Sequence, residues 1–168
     1  MSDFGSAKTK ISIGSMDGGP TVKAQYNPKE LQIDKSIPWA KPNQANKSNA
    51  GSDQGQGIHL EFTGAEGRTM SVELFFDGFE GNTVNVAQCV SDLETLASVI
   101  QPGSVLEDKR RPHQCIVLYG STIKKFLCVI ESLSTKYSMF DDAGNPLRAT
   151  CTVKLKEADS VSAAKKGS

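Results

Sequence analysis

The sequence predicts a mainly β fold with one helix, a small antiparallel sandwich or barrel of about seven strands. Three observations carry this prediction. Apolar residues alternate at period two in most of the apolar segments, a single segment repeats at helical period, and the strand-like segments are joined by turn residues with no βαβ alternation. At 168 residues the chain is long enough for one compact core.

Residues 1–10 and 158–168 are small and polar, and their apolar surface does not offset the ordering cost, so both are expected to be flexible tails around a domain spanning 11–157. Ile11 and Ile13, then Val22, Ala24 and Tyr26, flank MDGG at 16–19 and predict a hairpin whose second strand cannot begin before Pro20. In YNPKELQIDKSIPWAKP the Asn27-Pro28 turn precedes Leu31, Ile33, Ile37 and Trp39, an extended segment closed by Pro38 and Pro42. A polar insertion follows at 40–57, and its residues from 43 on include no large apolar side chain. Loops of this length in compact domains are usually functional or disordered.

Ile58, Leu60 and Phe62, then Met70, Val72, Leu74 and Phe76, alternate on either side of 64–67 and predict a second hairpin with one buried face. The helix is predicted over 86–100. Val86, Val90, Leu93, Ala97 and Ile100 form its apolar stripe, Asn85 caps it with Gln88 as a capping-box partner, and Pro102-Gly103 stops it. After the charged run 107–112, strands are expected near 114–120, 124–139 and 147–157. In the last, Leu147, Ala149, Cys151, Val153 and Leu155 share one face, while Arg148, Thr150, Thr152, Lys154 and Lys156 share the other, which suits an edge strand or an assembly contact.

Charge and motifs exclude more chemistry than they suggest. With 19 basic and 19 acidic residues the chain lacks the electrostatic footprint of nucleic-acid or anionic-membrane binding, so no nucleic acid and no direct membrane insertion are expected. No apolar run approaches the roughly 20 residues of a spanning helix, and the first ten residues do not resemble a signal peptide. Cys89, Cys115, Cys128 and Cys151 form no CxxC pair and are read as reduced core residues.

His59 and His113 have no second histidine at ligand spacing, and no GxSxG, Walker or GxGxxG pattern occurs. Glu131, within FLCVIESL, is the one carboxylate expected to be partly buried, with Arg68 or Arg148 as a structural partner, while Asp77 and Glu80 flank a turn. DDAGNP at 141–146 lacks the order of a calcium loop and is read as a hairpin turn. No catalytic residue, metal or cofactor is therefore expected.

Four long stretches resemble a known family: VKAQYNPKELQIDKSIPWAKP at 22–42, LEFTGAEGRTMSVELFFDGFEG at 60–81, EDKRRPHQCIVLYG at 107–120, and VIESLSTKYSMFDDAGNPLRATCTVKLKE at 129–157. They are similar to the tube and baseplate tube-adaptor proteins of phage-tail-like contractile injection systems, in the form without the LysM domain that some relatives carry. RPHQCIVLYG departs from the pattern PPxCxxxWG at His113 and Tyr119.

The resemblance implies a tail-tube-like fold in which six copies close into a ring lining a channel. It also implies a structural, non-enzymatic role joining or initiating the inner tube on the spike and baseplate hub. The implied partners are further copies of the chain, the inner tube protein, the spike or hub protein and baseplate components. The implied location is the assembled particle, after synthesis in the bacterial cytoplasm without a signal peptide. The main inner-tube protein is the nearest alternative, and a β-barrel ligand-binding module the alternative of another class. An enzyme using Glu131 with Asp77 or Asp141 has no supporting spacing.

The expected subunit-interface residues are Trp39, Arg68, Lys109, Arg110, Arg111, Arg148, Lys154 and Lys156. Tryptophan and arginine are enriched at interface centres, although Trp39 suits a core position equally and Arg68 a turn. The insertion at 40–57 is expected to order on a neighbouring subunit.

Overall fold

A computed structural model describes residues 9–42, 57–64, 66–79, 81 and 84–165. Most of the insertion (43–56), most of the expected N-terminal tail (1–8), Glu80 and residues 166–168 lie outside the described residues. The strands are β1 (Ser12–Ser15), β2 (Thr21–Lys23), β3 (Leu31–Asp34), β4 (Trp39–Ala40), β5 (Glu61–Phe62), β6 (Thr69–Asp77), β7 (Cys115–Tyr119), β8 (Ile123–Phe140) and β9 (Pro146–Glu157), with one α-helix, α1 (Val86–Leu96). Seven strands form one sheet in the order β2-β1-β7-β8-β9-β6-β3, and β4 and β5 form a separate pair. Every pairing is antiparallel.

The centre of the sheet follows directly from period-two patterning. Met70, Val72, Leu74 and Phe76 of β6 stand opposite Leu155, Val153, Cys151 and Ala149 of β9, and all eight are buried. The largest side chain faces the smallest, Phe76 against Ala149, so large and small side chains complement each other across the two rows. Burying a side chain of this size is worth about 1.5–3 kcal/mol.

The sheet curls until its ends meet. Gln25, just past β2, donates from Nε2 to the Asp77 carbonyl (2.9 Å), and its Oε1 accepts from the Asp77 amide (2.7 Å). One side-chain amide thereby replaces a pair of strand hydrogen bonds and joins the β2 end to the β6 end. Tyr26 stacks on Phe75 at the same seam, with ring centroids 6.0 Å apart. Helix α1 packs against β9, β8, β2 and β6 through Val86, Val90, Leu93 and Leu96.

Several expectations are corrected in detail. No hairpin joins 58–62 to 70–76: β5 pairs with β4, β6 pairs with β3 and β9, and Ile58, Leu60 and Phe62 are exposed. Period two fixes a face but names no partner. Strand β9 is central rather than an edge, because β8 and β6 flank it.

Asn85 does cap α1, accepting from the Gln88 amide at 3.0 Å, but the Gln88 side chain turns forward to Asp92, and the helix ends at Leu96. Glu131 is exposed beside a bulge between Ile130 and Ser132, and Arg68 and Arg148 pair instead with Glu157 and Asp77. The four cysteines are free, with Cys115, Cys128 and Cys151 buried and Cys89 half-buried. Burial pushes Cys115 and Cys128 up to about 12, so both thiols stay protonated at neutral pH and pack as small hydrophobes.

Candidate assembly surfaces

The outer face of β8, β9 and β6 is a polar surface that the strand register specifies. Across the three strands its rows read Ser132–Lys154–Ser71, Ser134–Thr152–Glu73, Lys136–Thr150–Phe75 and Ser138–Arg148–Asp77. The reverse side of the same strands is the buried core, so alternation alone turns these side chains outward. Lys136, Lys154 and Lys156 are exposed, while Arg148 is tied to Asp77 (Nε–Oδ1 3.3 Å) and lies over the Phe79 ring. Short hydroxyls and spaced charges leave this wall with few apolar holds.

A second surface is the β4–β5 pair, which stands where the chain enters and leaves the insertion. Trp39 packs on Phe62 with ring centroids 5.6 Å apart. Trp39 is nevertheless 56 % exposed and Phe62 54 %, which overturns the core reading of Trp39. Two large rings that satisfy each other while leaving half their surface in water suit a contact with another chain.

Arg68 is committed within the chain. Its Nη2 and Nε lie 2.8 and 3.2 Å from Oε2 of Glu157, its amide donates to Oε1 at 3.1 Å, and its guanidinium lies over Phe126. These bonds hold the Glu157 carboxyl below its ordinary range and clamp the start of β6 to the end of β9.

The basic cluster splits by role. Arg111 is mostly buried and makes a two-point pair with Asp17 (Nη1–Oδ2 2.9 Å, Nη2–Oδ1 3.2 Å). Asp17 also accepts from the Gln114 amide at 2.8 Å, and Arg111 above all holds its carboxyl below the usual range. Lys109 and Arg110 remain half-exposed and form no ion pair among the described residues.

Beside them His113, 6 % exposed, places Nδ1 2.7 Å from Ser15 Oγ. Ser15, His113 and Asp17 do not make a nucleophilic triad: the Asp17 carboxylate is taken by Arg111 and Gln114, and Ser15 Oγ accepts from the Asp17 amide. The arrangement ties the loop after α1 to the β1–β2 turn. Among the described residues no group of three His, Cys, Asp or Glu side chains is placed to hold a metal, and no helix is long and apolar enough to cross a membrane.

Burial is the main cause that lowers His113 below 6.5, with the Arg111 and Lys109 charges adding and Asp17 opposing. The unfolded chain therefore takes up this proton more readily than the folded one. Its contribution to stability is complete above 6.5 and declines as pH falls through that value. Urea unfolding midpoints are expected to drop between pH 7.5 and 5.5, and His113→Gln is expected to flatten that drop.

A family model described as contractile injection system tube protein matches residues 7–166. The chain belongs to this family. As a tube-family protein it is a component of an injection particle and assembles with other components of that machine. A comparison with curated proteins finds no match.

The β fold buries its hydrophobic face together with its own helix, while the outer sheet face and the Trp39–Phe62 pair stay open. Missing from the sequence-based site set are Gln25, Asp17 and Glu157, which close and brace the barrel. Their partners lie 52, 94 and 89 residues away, and no local pattern links such pairs.

Proposed function

We propose that this tube-family protein is a structural, non-enzymatic subunit that closes into a hexameric ring and connects or initiates the inner tube on the spike and baseplate hub. The observation that supports this most is the hydroxyl- and lysine-paved outer face of β8, β9 and β6, which suits the wall of a channel. A passenger moving past such a wall meets mainly hydroxyl and charged groups, with Phe75 the one large apolar side chain in the four rows. Trp39, Arg110 and Lys109 are the contacts with neighbouring subunits or tube components, while Lys154 and Lys156 stand on the wall face. Arg68, Arg111 and Arg148 act by shaping those contacts through their internal pairs. The insertion expected to contact a neighbour falls, at 43–56, outside the described residues, and Trp39 and Phe62 stand at its base. The partners are further copies, the inner tube protein and the spike or hub protein.

A main inner-tube role is the second reading, favoured by the family description itself. The ligand-binding barrel is less well supported, because the barrel interior is filled by Phe76, Phe126, Ile13, Leu74 and Leu93, all at most 1 % exposed.

Light scattering and electron microscopy of the purified protein across a concentration series test the assignment. Rings of six with an open channel are the expected result, and Trp39→Ala is expected to weaken them by about tenfold or more. Long tubes of this chain alone would transfer it to the main-tube role. A strict monomer in the presence of cognate tube and spike proteins would sink both.

A further inference from the structure

Strand β8 lacks a neighbour along most of one edge. It pairs with β9 from Cys128 to Phe140, but β7 accompanies its other edge only from Ile123 to Cys128. Among the described residues no strand pairs with Val129–Phe140 on that side, and β3, the last strand of the sheet, has an open outer edge of its own. We infer that these two edges join between copies of the chain: β3 of one copy adds to β8 of the next, antiparallel, with Ile33 opposite Leu133 and Leu31 opposite Thr135. This pairing rests on the tube-family reading and specifies the edges by which one subunit meets another.

Strand direction suits the contact. The strands β8, β9, β6 and β3 alternate, so β3 runs opposite to β8, and a second copy in the same orientation brings its β3 alongside β8 as one more antiparallel strand. The other end strand, β2, is engaged within the chain, because Gln25 just past it carries the closure to Asp77.

The free backbone groups can be assigned residue by residue, since neighbouring residues of a strand turn their peptide groups to opposite sides. The Glu157 amide donates to the Arg68 carbonyl, and the Leu147 carbonyl accepts from the Gly78 amide, so odd-numbered residues of β9 face β6 and even-numbered ones face β8. Ser132, Ser134, Lys136 and Ser138 stand opposite those even residues and bond to β9, which leaves the peptide groups of Leu133, Thr135 and Tyr137 on the open edge. Asp77 meets Gln25 through both its amide and its carbonyl, so odd-numbered residues of β6 face the β3 side. Gln32 and Asp34 answer Ser71 and Thr69 there, and Leu31 and Ile33 face outward.

On both open edges the residues with free peptide groups are also those whose side chains lie on the core face. Leu133 and Thr135 stand level with buried Val153 and Cys151, and Leu31 and Ile33 with buried Val72 and Met70. Directly opposed residues of an antiparallel ladder project to one face, so a single pairing satisfies both backbones and continues the core face and the wall face into the next copy. The match depends on the four strands from β8 to β3 being an even number. An odd number would set core-facing residues against wall-facing ones.

Pairings that keep this phase differ by two residues, and charge selects among them. With Ile33 opposite Leu133, Glu30 falls opposite Lys136 and Lys35 opposite Glu131, while Lys29 meets Tyr137 and Asp34 meets Ser132. No like charges oppose each other. Glu30, Lys35, Glu131 and Lys136 are exposed and form no ion pair among the described residues. Sliding β3 by two residues either way makes neither pair. Two unlike edges give a head-to-tail contact, which propagates around a ring, and each copy covers the open edge of the next.

In a Cys89→Ser background, Gln32→Cys and Ser134→Cys in one chain supply the reporter. The two positions fall opposite each other on the wall face at a site without backbone bonds, where Cα atoms stand about 4.5 Å apart. Within one copy β9 and β6 separate them. With glutathione disulfide as oxidant, the expected result on non-reducing denaturing gels is a ladder of dimer, trimer and higher bands, with neither single variant giving one. In parallel, Glu30→Lys or Lys136→Glu is expected to weaken self-association by about tenfold, and the two combined to restore most of it. Amide exchange at Leu133, Thr135 and Tyr137 should slow on association. Products stopping at the dimer would overturn the head-to-tail pairing. Rings or tubes by electron microscopy with neither ladder nor charge-swap rescue would overturn this pairing and leave the tube reading intact. A wild-type chain that never associates, with cognate tube and spike proteins present, would overturn both.

Discussion

Phe76→Ala is expected to destabilise the protein by about 3–5 kcal/mol, with soluble expression falling sharply. Phe76 is 0 % exposed and sits one residue from the Gln25 clamp at Asp77, with Ala149 directly across on β9. Alanine there would leave two alanines facing each other beneath the seam, and the neighbouring strand backbones are held by hydrogen bonds and cannot collapse into the void. At roughly 2–4 °C per kcal/mol for a chain of this size, the thermal midpoint should fall by about 6–20 °C. Phe76→Leu keeps most of the volume and should retain most of the stability. A loss of less than about 1 kcal/mol for Phe76→Ala in urea unfolding would mean that the seam is not packed as described.

Asp17→Ala should cost about 3 kcal/mol or more. The Arg111 side chain is 12 % exposed and Asp17 20 %, so removing the carboxylate leaves a mostly buried guanidinium without its charge partner, held by the Pro112 carbonyl alone, and the Gln114 amide without its acceptor. The loss should appear both as a lower urea midpoint and as faster amide exchange at Ile100 and Gln101, whose bonds brace the loop after α1. Acid should reproduce part of the same loss. Arg111 lowers the Asp17 carboxyl and Arg68 lowers Glu157, so stability from both pairs is present above the ordinary carboxylate range and disappears as pH falls below it. An Asp17→Ala protein with wild-type stability and unchanged exchange would show that the loop is held by other means.

The sequence by itself determined the core faces of β6, of most of β9 and of α1. The alternation in 70–76 and 147–155 reappears as two opposed buried rows, and the single helical stripe reappears as α1 with its Asn85 cap. The turn at 141–146 is also legible locally, because Asp141 accepts from the Ala143 and Asn145 amides within the turn. These features depend on neighbours a few residues apart, and periodicity and turn chemistry encode such neighbours directly.

Strand partners are another matter. Ile58, Leu60 and Phe62 carry the same alternation as β6, yet β5 pairs with β4 across the insertion, and β9, with its lysine-bearing outer face, proves central. Alternation reports that a strand has two unlike faces, and it is silent about which chain runs alongside. The closing amide of Gln25, the Arg68–Glu157 clamp and the Asp17–Arg111 brace belong to the same class. Each joins residues more than fifty positions apart, and its strength comes from the burial and geometry that the folded barrel creates, so tertiary structure alone decided them.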